Sequence, residues 1–225
     1  MTQPQSITID VVSDVVCPWC YIGKKRLEQA LDQIDDVEVS VHWRPYQLDP
    51  TIPPEGLDRK AYMLGKFGSE DKLREIHARV DDAGRDAGIA FDFKAITVSP
   101  NALDAHRVIR WAGNGGSGLQ TAVNARIMKA YFEEGQNIGD QAVLSELAGQ
   151  AGMDRSIVEA LLPTDADIAE TKAEIETAGR MGIRGVPCFL LESKYAVMGA
   201  QDAQALVDAI RQVAAAKARG ELSTG

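Results

Sequence analysis

The stretch Cys17-Pro18-Trp19-Cys20 follows an apolar run, Ile7-Thr8-Ile9-Asp10-Val11-Val12, and precedes a helix-like stretch from Tyr21 to Leu31. This context reads as a C-x-x-C pair at a strand-to-helix junction. On the first turn of a helix, positions i and i+3 share a face, with Cβ atoms about 5–6 Å apart. A disulfide needs Cα atoms roughly 4.4–6.8 Å apart, so two sulfurs so placed can join and part with little backbone movement. The positive end of the helix dipole favours a thiolate at its start. Cys17, at the exposed end, is therefore the candidate nucleophile, and Cys20, one turn in, the candidate resolving thiol.

A C-x-x-C is also half of a structural zinc site. A second pair of ligands is then required. Only Cys188, His42, His77 and His106 remain, none in a paired spacing, so no metal is expected. Two inert buried cysteines would not explain Pro18, which suits an early helical position and fixes the turn.

A second informative segment lies far along the chain, Ile183-Arg184-Gly185-Val186-Pro187-Cys188-Phe189-Leu190-Leu191. Proline cannot donate to a sheet ladder, so Pro187 belongs at the first residue of a strand. Glu192-Ser193-Lys194 reads as a turn, and Tyr195-Ala196-Val197-Met198 returns as the partner strand of a hairpin. A helix follows, with Leu206, Ile210, Val213 and Ala214 on one face and Asp202 as N-cap.

The order reads strand 6–13, helix 18–34, strand 37–44, a long helical region, hairpin 187–198 and helix 202–217. In the middle, Leu73, Ile76, Val80, Ala83 and Ala87 recur at helical spacing, with Gly88 as a stop. Leu119 to Tyr131 and Val143 to Ala151 do the same, and Ala166 to Met181 does so more weakly. Asn114-Gly115-Gly116-Ser117-Gly118 lacks the Lys-Ser/Thr and preceding strand of a phosphate loop, and reads as a turn between helices.

Composition bounds the function classes. The 225 residues carry 24 Lys+Arg against 33 Asp+Glu, a net charge of −9, with no basic stripe. Nucleic-acid binding is not expected. No run of 18 or more apolar residues occurs, and Met1 to Ser6 lack a basic start and an apolar core, so a soluble cytoplasmic protein without membrane attachment is expected. In a reducing compartment a C-x-x-C points to catalysis or redox sensing rather than to a staple.

The chain resembles the DsbA-like branch of the thioredoxin superfamily, and within it the FrnE-like cytoplasmic dithiol-disulfide oxidoreductases. The resemblance rests on Asp14 to Lys24, on Trp43-Arg44-Pro45-Tyr46-Gln47-Leu48, on Gly185-Val186-Pro187 and on Tyr195 to Gln201. It implies an α/β thioredoxin fold with a large inserted all-helical domain. Residues 1–56 and 181–225 would form the discontinuous thioredoxin-like domain and 57–180 the insert. It implies a cis peptide before Pro187 and a Val186 backbone that pairs with an extended substrate.

The expected activity is thiol-disulfide exchange on a protein or small-molecule substrate. Pro18, Trp19, Val186 and Pro187 are the candidate substrate contacts, although Trp19 would equally serve to pack the sheet edge. No cofactor is expected, and glutathione enters only as a redox partner. Two other readings stand: a glutathione-dependent isomerase or transferase, like the 2-hydroxychromene-2-carboxylate isomerases and kappa-class transferases, and a non-enzymatic redox sensor. Those glutathione enzymes use Ser at the Cys17 position, so the cysteine pair favours exchange. Cys188 reads as a buried strand residue, or alternatively as a partner for Cys17. The three histidines read as packed or surface residues, and Lys24-Lys25 as solvent-facing. The oligomeric state is left open.

Overall fold

Alternation along the first strand sends Ile7, Ile9 and Val11 to one face, where each is buried. This strand, β1 (Gln5–Ser13), is followed by α1 (Pro18–Leu31) and β2 (Val37–Pro45). The computed structural model describes residues 5–222; residues 1–4 and 223–225, at the outer ends of the expected thioredoxin-like unit, lie outside them. β1 and β2 pair in parallel, with Ile9 opposite Val41 and Val11 opposite Trp43. A parallel pair needs a long crossover, which α1 supplies.

The chain then runs through β3 (Leu57–Asp58), α2 (Arg59–Phe67), α3 (Glu70–Asp86), β4 (Val98–Ser99), α4 (Leu103–Ala112), α5 (Ser117–Phe132), α6 (Gln141–Gln150), α7 (Arg155–Leu161) and α8 (Ile168–Arg180). It returns as β5 (Cys188–Leu191), β6 (Tyr195–Met198) and α9 (Ala203–Ala218). The four-stranded sheet has the order β2-β1-β5-β6, with β5 antiparallel to β1 and β6 at the edge. A parallel β-α-β opening closed by an antiparallel hairpin and a helix is the thioredoxin fold. The helices α2–α8 enter it between β2 and β5.

Asp202 caps α9 as expected, accepting from the Ala205 N–H at 2.8 Å. Gly88, at φ 77°, turns the chain out of α3. The segment around Asn114 is a 3-10 turn between α4 and α5. Two helices that periodicity did not reveal are α2 and α7, each too short for a stripe to repeat. α1 also ends three residues earlier than expected, because Gln33 and Ile34 close 3-10 bonds onto Ala30 and Leu31 and the helix tightens off.

The apolar core is continuous. It runs from Ile7, Ile9 and Val11 through Tyr21 and Ile22 to Ile127 and Phe132 in α5, and includes Leu206 and Ile210 of α9. A smaller cluster of Val12, Ala178, Ile183 and Cys188 lies apart from it. One expectation is corrected: Lys24 does not face solvent. It is 1% exposed, with its ammonium paired to Glu28. Burial pushes its pKa down, and the Glu28 charge opposes that shift. An aliphatic stem can bury beside apolar neighbours while the charged head reaches a partner.

Candidate active site

β1 ends at Ser13, and the turn that follows hands Cys17 to the start of α1. The Cys17 N–H donates to the Asp14 carbonyl at 3.1 Å. Cys17 is the N-cap, extended at φ −92° and ψ 113°, with Pro18 as the first helical residue. Its carbonyl accepts from Cys20 N–H at 3.0 Å and Tyr21 N–H at 3.2 Å. The Cys17 side chain makes no capping bond. Its Sγ instead lies 3.9 Å from the Val186 carbonyl oxygen, to which the thiol donates.

The Val186–Pro187 peptide is cis. Pro187 sits against Gly23 of α1, where a Cβ would come within 2.8 Å of Pro187 Cγ and 3.2 Å of the Phe189 ring. Gly23→Ala is therefore expected to push the loop away from Cys17. Overpacking of this kind costs about 1–3 kcal/mol. Thermal melts should show that loss, and Cys17 alkylation rates should change with it; a variant matching the wild type in both would refute the fit.

The three cysteines are free thiols and buried. Cys17 keeps 5% exposure and Cys20 only 1%. Burial pushes the Cys20 thiol well up, and its hydrogen bond and charge interaction with Cys17 push it further. The inner thiol thus holds its proton while the outer one faces the opening. A pKa raised in the folded state gives stability that is complete below the unfolded thiol value, about 8.5, and is lost as pH rises above it. The reduced protein should melt progressively lower as pH rises beyond that point. Cys20→Ala should remove part of this slope, and an identical slope in that variant would rule Cys20 out as its source.

Asp14 lies beneath the pair. Its Oδ1 accepts from Val16 N–H at 3.2 Å and its Oδ2 from Leu48 N–H at 2.7 Å, so it ties the cysteine turn to the segment after β2. His106 Nε2 stands 3.5 Å from Asp14 Oδ1.

Cys17, Pro18, Trp19, Gly185 and Val186 form one wall of a cleft of about 410 Å³. The other wall belongs to the helical part, with Tyr62, Met63 and Phe67 of α2 and Ile76 and Val80 of α3. Of the expected site residues, Cys17, Pro18, Trp19 and Val186 line this cleft, while Cys20 and Pro187 do not. Trp19 is 39% exposed, free to meet an incoming molecule. Cys188 pairs with Val12 in the sheet and belongs to the smaller cluster, whereas Cys17 belongs to the main core. Neighbouring strand residues point to opposite faces, and Phe189 takes the core face. His77, read from sequence as a packed or surface residue, also lines the cleft. Sequence reading missed Arg59, Tyr62, Met63, Lys66 and Phe67. Their one local signal is Asp58, which caps α2 by accepting from Ala61 N–H at 2.8 Å.

Fold and site together describe a dithiol protein on a thioredoxin framework. Residues 8–211 match the DSBA-like thioredoxin domain family, and the chain belongs to it. It is 28% identical to the uncharacterised Bacillus subtilis protein YwbO over 190 residues, 83% of this chain and 87% of that protein. A probable DsbA oxidoreductase from Streptomyces coelicolor superposes with a TM-score of 0.83 at 29% identity, covering 97% of this chain and 92% of that one. The cytosolic disulfide reductase DsbM from Pseudomonas aeruginosa, solved with GSH, shares the fold at a TM-score of 0.58 and 21% identity, over 94% of this chain and 99% of that one. Among the described residues, no helix is long and apolar enough to cross a membrane.

Proposed function

We propose that this protein is a thiol-disulfide oxidoreductase of the FrnE-like group, working in the cytoplasm with Cys17 as nucleophile and Cys20 as resolving thiol. The observation that carries this reading is the asymmetry of the pair: Cys17 lines a cleft at a helix N-terminus, and Cys20 is buried behind it with its pKa pushed well up. In the reducing direction, Cys17 thiolate attacks a substrate disulfide and one substrate thiolate leaves. Cys20 then loses its proton, attacks Cys17 and releases the second substrate thiolate. The protein dithiol gives up two electrons and ends as the Cys17–Cys20 disulfide. The Val186 carbonyl beside Cys17 Sγ supports a role for that loop in holding an extended substrate segment. Pro18 and Trp19 shape the entrance and Pro187 sets the loop. Glutathione is a candidate redox partner.

An equilibrium redox titration in glutathione buffers tests this. Tryptophan fluorescence and the mass after alkylation are read together. The expected result is a reversible two-electron couple confined to Cys17 and Cys20. Glutathione left on Cys17 alone, with no internal disulfide, would instead favour the glutathione-dependent isomerase or transferase.

A further inference from the structure

The α2 wall of the Cys17 cleft presents two cations. Arg59 donates to Tyr131 Oη at 2.7 Å and lies 5.7 Å from the centre of that ring. Lys66 donates to Tyr62 Oη at 3.0 Å and lies 5.3 Å from its ring centre. Their hydrogen bonds go to phenol oxygens, and no ion pair ties either of them among the described residues. Two acids also line the cleft and balance the two cations in formal charge. Asp14 accepts from Val16 and Leu48. Asp49, near Lys66, accepts from Thr51 and from Tyr62 Oη at 2.9 Å. Asp49 offsets Lys66, which leaves Arg59 as the cation without an ion pair among the described residues, placed to select an anion.

A second, independent observation concerns the same walls. Ser99 Oγ and His77 Nε2 are buried with no hydrogen-bond partner, and both residues line the cleft. Ser99 is 3% exposed. Buried polar atoms are ordinarily paired, so these two are groups that a ligand's polar atoms in the cleft can satisfy. Burial, with the Arg59 charge, pushes His77 down, so it offers a neutral ring. The remaining surface is apolar, from Trp19, Met63, Phe67, Ile76 and Val80. A volume of about 410 Å³ falls in the range of small-molecule sites.

We propose that the cleft takes a small-molecule disulfide with an apolar body and a carboxylate, the carboxylate seated on Arg59 and one sulfur presented to Cys17. Ser99 and His77 complete the hydrogen bonds to its polar end. This rests on the oxidoreductase reading of the same site. Cys17 thiolate attacks the nearer sulfur, the ligand S–S bond breaks, and one thiolate leaves with the bonding pair. Cys20 releases its proton to solvent and displaces the second thiolate, so the ligand gains the two electrons that the dithiol loses.

The test is single-turnover reduction by the pre-reduced full chain of two matched disulfides. One is formed from para-mercaptobenzoate and the other from uncharged para-mercaptobenzamide. Each rate is divided by that of β-mercaptoethanol with the same disulfide, which removes intrinsic reactivity. The wild type should favour the carboxylate by about tenfold or more, the scale of one hydrogen bond to a charged group. Arg59→Gln should lose most of that preference and Arg59→Lys should retain part of it. The ratio cancels any effect of Arg59 on Cys17 itself. The wild-type preference should also fall as salt is added, a readout that needs no variant. A ratio near one in the wild type, a ratio untouched in Arg59→Gln, or one indifferent to salt overturns the inference and leaves the oxidoreductase reading standing. Failure to reduce either disulfide removes that reading, and this one with it.

Discussion

Cys17→Ala is expected to lower disulfide exchange by more than about a thousandfold, because the nucleophile and its resolving partner act as a unit. Cys20→Ala should behave differently. Cys17 would still attack, and the mixed disulfide would persist because nothing displaces it. Intact mass after mixing with a disulfide substrate distinguishes the two: an adduct on Cys17 in Cys20→Ala, and no adduct in Cys17→Ala. The structure gives the reason for this order. Cys17 lines the cleft, whereas Cys20 is 1% exposed and cannot meet a bulky substrate. An adduct on Cys20 in the Cys17→Ala protein would reverse the assignment. Cys188→Ala should leave exchange intact, since Cys188 packs with Val12, Ala178 and Ile183 away from the cleft.

The largest effect on stability is expected at Arg107, in α4. Its side chain is 1% exposed and satisfies five acceptors. Nε donates to the Ala166 carbonyl at 2.8 Å. Nη1 donates to Asp104 Oδ1 at 2.7 Å and to the Leu162 carbonyl at 3.1 Å. Nη2 donates to the Leu161 and Thr164 carbonyls at 3.2 and 2.7 Å. One guanidinium thus gathers the turn between α7 and α8 onto α4. Arg107→Met would leave four carbonyls without this donor inside the protein. Each buried acceptor left unsatisfied costs about 1–3 kcal/mol, so a loss of about 3–5 kcal/mol is expected. For a chain of this length that corresponds to a fall in Tm of roughly 10 °C. Arg107→Lys should recover only part, because a single ammonium cannot span the fork. A loss below about 1 kcal/mol in denaturant titrations would contradict this role.

The ends of the chain were legible because their signals are local. Alternation in Ile7, Ile9 and Val11, the proline before β5 and the Asp202 cap each act over a few residues. The longer helices α3, α5, α6 and α8 repeat an apolar stripe often enough to be read. α2 and α7 do not, and α2 spends its apolar residues Met63 and Phe67 on the cleft wall rather than on the core. Lys24 and Arg107 were misjudged or passed over for a related reason. A charged residue is ordinarily exposed, and only its partners in space, Glu28 for one and the α7–α8 turn for the other, explain its burial.

By itself, then, the sequence determined the cysteine pair, the helix that begins at it, the succession of strands and helices at the two ends and the loop that carries Pro187. These follow from backbone preferences and from i to i+3 spacing, which need no distant partner. Only the tertiary structure decided what Cys17 faces. The cleft joins Cys17 to Arg59, Ser99 and Val186, residues that no local rule relates. They meet because one continuous apolar core packs the helices with the sheet, and that packing exists only once the whole chain has closed.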